Sequence, residues 1–597
     1  MASLDASAVA RLLRELGQRT ALRGDNPFKA KAYARAADNL LTLSEPLDRL
    51  IAQDRLREIP GVGEAIAAII RRLHETGTHP GLERMREEMP ESVLDLLTVP
   101  GLRSDKIIKL HRDLGVSSLD QLEEATRSGR VAKTKGLGAA LAAKILQGLE
   151  IRRTALGRRH LHRAAELLKS AERHLKAARL GIVRVTPAGD FRRGCELVRD
   201  LALVAQVKNL PEGPEEITAS EQLTVHLTDR AHAGVTLLFA TGSAAHLEGL
   251  RALAAQKGMT LDEQGLHRGD TVVAAADEDE IYAALGLQPI PPELREGSDE
   301  IALARAGKLP VLVTDNDIRG ILHAHTDRSD GVDTLAAMAA ATRAKGYQYF
   351  GVADHSKSAH YAGGLSLDEI AEQQAEIRRL NRRYKGRFRI FTGIESDILP
   401  DGSLDYSDEV LASFDFVVAS VHSRFKLDRA TQTKRIIRAV ANPYTTILGH
   451  MTGRQLLRRP GYDIDIEKVL AACAQHGVAV EINANPWRLD LDWRWHRQAL
   501  DLGCMMSINP DAHSTDEIEL THWGVEMARK GGVPKARVLN CLDLGEFTAW
   551  LDARRRKRRG ESRQDVSDPR PAPLVRSVRA TGRVRRPPAQ RDRTDDR

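Results

Sequence analysis

Asp317-Ile318-Arg319-Gly320-Ile321-Leu322-His323-Ala324-His325-Thr326-Asp327-Arg328-Ser329-Asp330-Gly331 decides how the C-terminal half of the chain is read. A short apolar run ends in two histidines two residues apart. In a strand, residues i and i+2 face the same side, so both imidazoles can reach one metal ion. Asp330 follows in a Ser-Asp-Gly turn, from which its carboxylate can swing back toward that ion. A lone His-x-His is a modest signal, because such pairs also serve as buried core side chains. Repetition is what strengthens it.

Working outward, further apolar runs end in the same residue types. Tyr347 to Asp354 leads into His355, Phe388 to Ile394 into Glu395, and Phe414 to Val421 into His422. Thr446 to Gly449 leads into His450, and Met505 to Pro510 into Asp511 and His513. Val478 to Asn483 closes at Asn485-Pro486. Amphipathic stretches such as Leu335 to Arg343 and Leu367 to Arg383 fit as helices between them. Alternating strands and helices predict a parallel barrel whose strand C-termini open onto one mouth. Seven strands are expected, six of them ending in metal-type ligands. The predicted ligands are His323, His325, Asp330, His355, Glu395, His422, His450, Asp511 and His513. Nine exceed the needs of one ion, so several N/O-rich sites sharing a carboxylate are expected, with Glu395 as the bridge. Asp354 and Asn509 are predicted to orient ligands from behind, and Asp354 is also a candidate catalytic carboxylate. Arg454 either clamps a phosphate bidentately or forms a surface ion pair.

The N-terminal third reads as helices. Residues 5–45 predict two amphipathic helices around Gly24-Asp25-Asn26-Pro27-Phe28-Lys29. Ile59-Pro60-Gly61-Val62-Gly63 then forms a Pro-Gly-x-Gly turn between helices, whose outward N–H groups suit one DNA backbone phosphate. A second copy keeps Gly101 but carries Arg103 at the second glycine. A third keeps both, Gly136 and Gly138. Gly61, Val62, Gly63, Gly101, Gly136 and Gly138 are the candidate DNA contacts, sequence-independent because phosphates carry no base information.

The formal charge of +7 is unevenly placed. Residues from Arg554 onward carry +10 (16 Arg and Lys against 6 Asp and Glu), so the first 553 residues sum to −3. The tail has few apolar residues and is expected to be disordered, either drawn to nucleic acid phosphates or merely solubilising. Four cysteines (Cys195, Cys473, Cys504, Cys541) form no CxxC pair and read as reduced thiols. Met1 to Arg11 show no basic-then-apolar leader and no apolar run reaches membrane-spanning length. A cytoplasmic, nucleoid-associated location is therefore the expectation.

The middle of the chain carries Gly189-Asp190-Phe191-Arg192-Arg193-Gly194, Asp200-Leu201-Ala202, Thr241-Gly242-Ser243 and Ile290-Pro291-Pro292-Glu293. With the hairpins before it, this order resembles the nucleotidyltransferase core of family X DNA polymerases. The resemblance continues through the barrel, to the bacterial type with a fused PHP (polymerase and histidinol phosphatase) domain. It implies a distorted seven-stranded barrel holding three ions. Asp330, where many phosphatases of the family carry His, shifts the implied preference from zinc toward manganese, with both left open. The departures are informative. The family carries Gly-Ser before Arg-Arg, an Asp-x-Asp pair and a third Asp on a neighbouring strand. Here those positions read Asp190, Asp200-Leu201-Ala202 and, in a gapless placement, His226. One carboxylate cannot hold two hard cations, so Mg²⁺ is not expected there and nucleotidyl transfer is expected to be lost, although Arg193 is kept.

The expected chain is a multidomain α+β and α/β protein. It comprises a helical helix-hairpin-helix domain (1–95), a further hairpin region (96–160), a degenerate polymerase-β-like palm and thumb region (161–315), a distorted seven-stranded (β/α) PHP barrel (316–553) and a basic tail (554–597). The expected function is metal-dependent (Mn²⁺ or Zn²⁺) phosphoester hydrolysis at DNA 3′ ends in repair. That means a 3′–5′ exonuclease, with 3′-phosphatase or abasic-site activity in view, acting as a monomer on gapped, nicked or 3′-ended DNA beside repair-protein partners. The alternatives are a small-molecule phosphatase of the histidinol-phosphate kind, an active polymerase, or a non-catalytic end-binding scaffold.

Overall fold

The computed structural model describes residues 4–24, 27–40, 46–59, 61–177, 181–210, 216–220, 223–558 and 560. Asp25, Asn26, Pro60 and the tail from 561 onward lie outside them. The last helix, Leu544–Arg558, runs past Arg554, where the charge pattern places the start of the tail. Among the described residues no helix is long and apolar enough to cross a membrane.

The N-terminal helices Ala6–Leu22 and Pro27–Leu40 pack through Val9, Leu13, Leu16, Tyr33, Ala36 and Leu40, the apolar face that their periodicity sets up. Asp5 caps the first by accepting from the Ala8 N–H at 2.7 Å. Three hairpins follow with one local bond in common. The N–H of Val62 donates to Ile59 O (3.0 Å), that of Leu102 to Val99 O (3.1 Å) and that of Leu137 to Thr134 O (3.1 Å). Gly61, Gly101 and Gly136 hold φ of 78°, 78° and 83°, the left-handed region that favours glycine. The same geometry accounts for Arg103. It and Gly63 are both extended helix N-caps (φ −83° and −88°), so the second position of these two turns needs no special backbone freedom, whereas Gly138 of the third hairpin holds a left-handed φ of 80°.

The polymerase-like region is built on strands β1 (Ile182–Ala188), β2 (Leu201–Val207), β3 (Glu216–Ser220) and β4 (Leu223–Thr228). Their order is β1-β2-β4-β3, with β2 and β4 parallel. The register places His226 on the strand next to that of Ala202. Ala202 pairs with Thr224, and His226 pairs with Val204 one pleat further on. The residue beside Ala202 is therefore a threonine, not His226.

The C-terminal part is the closed parallel barrel. Its strands are β5 (Gly320–Ile321), β6 (Tyr349–Gly351), β7 (Arg389–Phe391), β8 (Gly393–Asp397), β9 (Phe416–Ser420), β10 (Ile447–Leu448), β11 (Ala479–Asn483) and β12 (Met506–Asn509). β7 and β8 are one run broken at Thr392, so seven strand positions circle the axis. Close packing explains the glycine that follows the break. A Cβ on Gly393 would lie 2.3 Å from Phe416 Cζ and 2.5 Å from Val352 O. A bridge from Ala324 to Ala512 closes the ring between the first and last positions. Tyr349, Phe391, Phe416 and Phe547 cluster with Leu322, Val418 and Ile447 in one core. Each such buried ring contributes about 1.5–3 kcal/mol.

The polymerase-like region is docked on the barrel by polar contacts. Glu196 accepts from Trp493 Nε1 and Arg494 Nη1, both at 2.8 Å. Glu293 pairs with Arg529 at 2.6 Å, and Glu296 with Lys530, whose side chain is fully buried. His160 Nε2 lies 3.1 Å from Leu456 O. Breaking a buried pair leaves an uncompensated charge, so these contacts fix the orientation strongly.

Candidate metal centre

All nine predicted ligands converge at the C-terminal mouth of the barrel. Glu395, in β8, is the hub. Its Oε1 lies 3.4 Å from His323 Nε2, 3.3 Å from His422 Nε2 and 2.9 Å from His450 Nε2. Its Oε2 lies 3.0 Å from His355 Nδ1 and 3.7 Å from His325 Nε2. Asp511 Oδ1 is 3.1 Å from His325 Nε2 and 3.6 Å from His323 Nε2. Asp330 Oδ1 stands 3.5 Å from His355 Nε2 and 3.4 Å from His513 Nε2.

These atoms form four overlapping groups with cation spacing: His325, Asp330, His355 and His513; His323, His450 and Asp511; His323, His325 and Glu395; His355, Glu395 and His422. Among the described residues, six buried atoms of this cluster lack any hydrogen-bond partner: His323 Nε2, His325 Nδ1, His355 Nδ1, His450 Nδ1 and both Glu395 oxygens. Buried polar atoms are normally satisfied, so orphaned atoms gathered on the residues of one cluster are what a set of cation donors leaves. The mixture of imidazole nitrogen and carboxylate oxygen suits manganese, zinc or iron. The residues fit divalent ions.

The electrostatics agree. Burial works against charge on Glu395, yet His422, His323 and His355 hold it well below the usual carboxylate range. Asp511 is also held low, by His323 and His325 against the same burial. His422 is raised to about 10, because Glu395 and Asp397 outweigh its burial. His325, buried beside His355, is lowered to about 4. The carboxylates thus stay ionised and supply the negative charge that cations require.

Two supporting residues escaped the sequence reading. Glu481, fully buried in β11, accepts from His323 Nδ1 (2.7 Å), the His450 backbone N–H (2.7 Å), Asn509 Nδ2 (3.1 Å) and Asn483 Nδ2 (3.3 Å). Asp397 accepts from His422 Nδ1 at 2.6 Å. Both fix which ring nitrogen faces the centre. A signal existed for each: a carboxylate inside a buried apolar strand needs a charged partner. Asn509 does support the site from behind, as expected. Asp511 itself has φ 53°, held by its N–H to His323 O at 3.1 Å.

Asp354 takes the first of its two predicted roles, support of a ligand from behind, and the expectation for Arg454 is corrected. Asp354 accepts from the Thr326 N–H and Oγ1 (both 2.7 Å), from Ser329 Oγ and from Gln373 Nε2 (2.6 Å), so it holds the loop that carries Asp330. Arg454 is neither a free clamp nor a surface pair. Its guanidinium donates to Arg488 O (3.0 Å), Asp492 Oδ2 (2.6 Å) and Leu489 O, which consumes it inside the 488–492 loop. Arg488, by contrast, reaches within 3.5 Å of Asp511 Oδ2 at the mouth.

In the polymerase-like region, Asp190 accepts from Arg193 and from the Arg199 N–H at 3.1 Å. Arg193 also donates to Glu296 (3.0 Å) and Thr241 O (2.6 Å). Ala202, Ala188 and Val204 form an apolar patch with Leu237 and Ala240, and Asp200 is exposed at its edge. Gly61, Val62, Gly63, Gly101, Gly136 and Gly138 lie in hairpins well separated in sequence from the barrel cluster.

Comparison with known proteins gives four domain matches. Residues 5–79 match a helix-hairpin-helix domain, 93–150 a SAM-like helix-hairpin-helix tandem, 236–296 the DNA polymerase beta thumb and 322–485 the PHP domain. The chain is 34% identical over 576 residues to the DNA polymerase/3′-5′ exonuclease PolX of Bacillus subtilis (strain 168), covering 91% of this chain and 98% of that one. It is 28% identical over 256 residues to a protein named "Probable phosphatase" of Thermoanaerobacter sp. (strain X514), which spans 40% of this chain and 96% of the relative. A "Probable phosphatase" of Vibrio campbellii (strain ATCC BAA-1116) is 28% identical over 246 residues, or 39% of this chain and 93% of the relative.

Proposed function

Because this chain belongs to the PolX family, in which a family X polymerase fold is fused to a PHP domain, we propose that it hydrolyses phosphodiester bonds at DNA 3′ ends and has lost nucleotidyl transfer. The observation that carries this reading is the contrast between two centres in one chain. The barrel mouth gathers nine ligand-type side chains with six orphaned donor atoms. The polymerase-like face presents Ala202 and Thr224, with Arg193 neutralised by Asp190 and Glu296.

The nine residues His323, His325, Asp330, His355, Glu395, His422, His450, Asp511 and His513 would hold three divalent ions, manganese or zinc. Sharing of His323, His325, His355 and Glu395 among the four groups supports a bridged cluster over isolated sites. Such ions supply Lewis acidity and a nucleophile at neutral pH. The chain's own residues do the rest. Glu481 and Asp397 orient His323 and His422. Asp354 braces the loop of Asp330. Arg488 is placed to bind the phosphate and offset its charge. The hairpins of residues 1–160 bring DNA by its backbone, independent of sequence. A small-molecule phosphatase would need none of these hairpins.

The test is a 3′-end-labelled oligonucleotide incubated with Mn²⁺, using the wild type and His323→Ala/His325→Ala. The wild type is expected to release the 3′ label from the strand, and the double variant to lose both hydrolysis and bound metal. Full nuclease activity and metal content in the double variant would sink the assignment.

A further inference from the structure

Beyond the metal centre, the barrel mouth carries cations that nothing neutralises. Arg424 and Lys426 are exposed in the loop after His422, and Arg458 is exposed in the loop after His450. Among the described residues these three side chains make no ion pair, and only Arg458 has a partner, an aromatic ring. The loops touch one another. Arg458 stacks 3.9 Å over the Trp487 ring, and Arg459 lies 4.5 Å over Phe425. The Leu456 N–H donates to Trp487 O at 2.7 Å. Arg459 lies close enough to Arg488 for the two charges to repel. One basic ledge therefore runs from Arg424 through Arg458 to Arg488, which meets Asp511 at the centre. Protein folds rarely crowd unpaired cations, since each destabilises the next unless an anion arrives.

Tyr361 stands at the centre end of this ledge. It is 73% exposed, although its ring is 6.3 Å from that of the buried His355. A large aromatic left in water beside a phosphoesterase centre is a stacking platform without its occupant.

Resting on the hydrolase reading above, we propose that a single-stranded DNA 3′ tail is the occupant of this ledge. Its terminal base stacks on Tyr361, its scissile phosphate meets Arg488, and the phosphates upstream lie on Arg458, Arg424 and Lys426. Single strands fit this arrangement because their bases are free to stack, whereas a duplex keeps them paired. The ledge's outer side meets the polymerase-like region, where His160 packs 4.1 Å from Trp487. A tail leaving a duplex held by the N-terminal hairpins would thus cross from one region to the other.

The experiment measures binding by fluorescence anisotropy, with the full chain loaded with Mn²⁺. The probes are a phosphorothioate-linked single strand of about 12 nucleotides, which resists hydrolysis, and a blunt duplex. In Arg424→Ala/Lys426→Ala/Arg458→Ala, single-strand affinity is expected to fall roughly 10- to 100-fold. The slope of log affinity against log salt should become shallower by about 2, at roughly 0.7 for each phosphate no longer neutralised. Duplex affinity is expected to hold. Tyr361→Ala is expected to weaken the single strand about tenfold and Tyr361→Phe to restore it. An unchanged single-strand slope, or an equal loss on the blunt duplex, overturns the ledge. Hydrolysis of a chromogenic nucleotide diester by the wild type is followed in parallel. Its absence overturns the hydrolase reading alone, so the two failures are separate results.

Discussion

Replacing Glu481 with Gln tests how much of the metal centre is held from behind. Both oxygens of this buried carboxylate are fully used. Oε1 takes the protons of His323 Nδ1 and Asn509, at 2.7 and 3.1 Å, and Oε2 takes the His450 backbone N–H and one from Asn483, at 2.7 and 3.3 Å. A glutamine puts an NH₂ where one oxygen was, so two donors meet donors whichever way the amide turns. If the oxygen stays on His323, the segment Gly449–His450 loses its anchor. If it turns to His450, the His323 ring loses its tautomer lock. Each unsatisfied buried donor costs about 1–3 kcal/mol, so with two of them Glu481→Gln is expected to lose roughly 2–6 kcal/mol of stability. Removing an orienting partner also typically lowers metal affinity about 10- to 100-fold. Chelator competition reads the affinity, and melting in excess EDTA reads the metal-independent part. Wild-type metal affinity in Glu481→Gln would refute the claim that Glu481 orients His323, whatever happened to the melting temperature.

Other parts of the molecule give three further expectations. His323→Ala/His325→Ala, unable to remove its own products, is expected to incorporate no dNTP on a gapped primer; extension at rates usual for a polymerase would mean that another acid replaces the missing carboxylates. At Gly63 the φ of −88° suits any residue and a Cβ would meet nothing within 4 Å. Gly63→Glu should therefore keep the fold while weakening duplex binding roughly tenfold at every sequence, because its carboxylate opposes a phosphate; sequence-selective loss, or none, contradicts the hairpin role. His496 is fully buried and lowered to about 4 from 6.5 by burial, so the unfolded state binds the extra proton in that window and stability rises with pH. Its contribution is fully present above about 6.5 and is lost toward pH 4, about 3 kcal/mol in all, at 1.36 kcal/mol per pH unit. Denaturant titrations of wild type and His496→Met at pH 7 and near pH 4 should differ by roughly that amount, and parallel pH profiles would show that His496 does not carry it.

The barrel and the nine side chains that converge at its mouth were legible in the chain because strand periodicity and strand ends are local properties. His323 and His325 share a face whatever surrounds them, and every strand of a parallel barrel ends at the same mouth. The hairpins were legible for a similar reason, since a left-handed φ at Gly61 is written into the residue type. Ala202 alone announced the loss of a carboxylate. What required the tertiary structure was every statement about a partner distant in sequence. Thr224 rather than His226 beside Ala202 is a matter of register between strands, which a single sequence does not contain. Arg454 and Arg488 have the same long, flexible side chain, and only the course of the 488–492 loop shows that one is consumed by carbonyls while the other reaches Asp511. Glu481 and Asp397 were visible as carboxylates in buried strands. Their histidine partners lie 158 and 25 residues away, and that pairing is decided only when the ring closes.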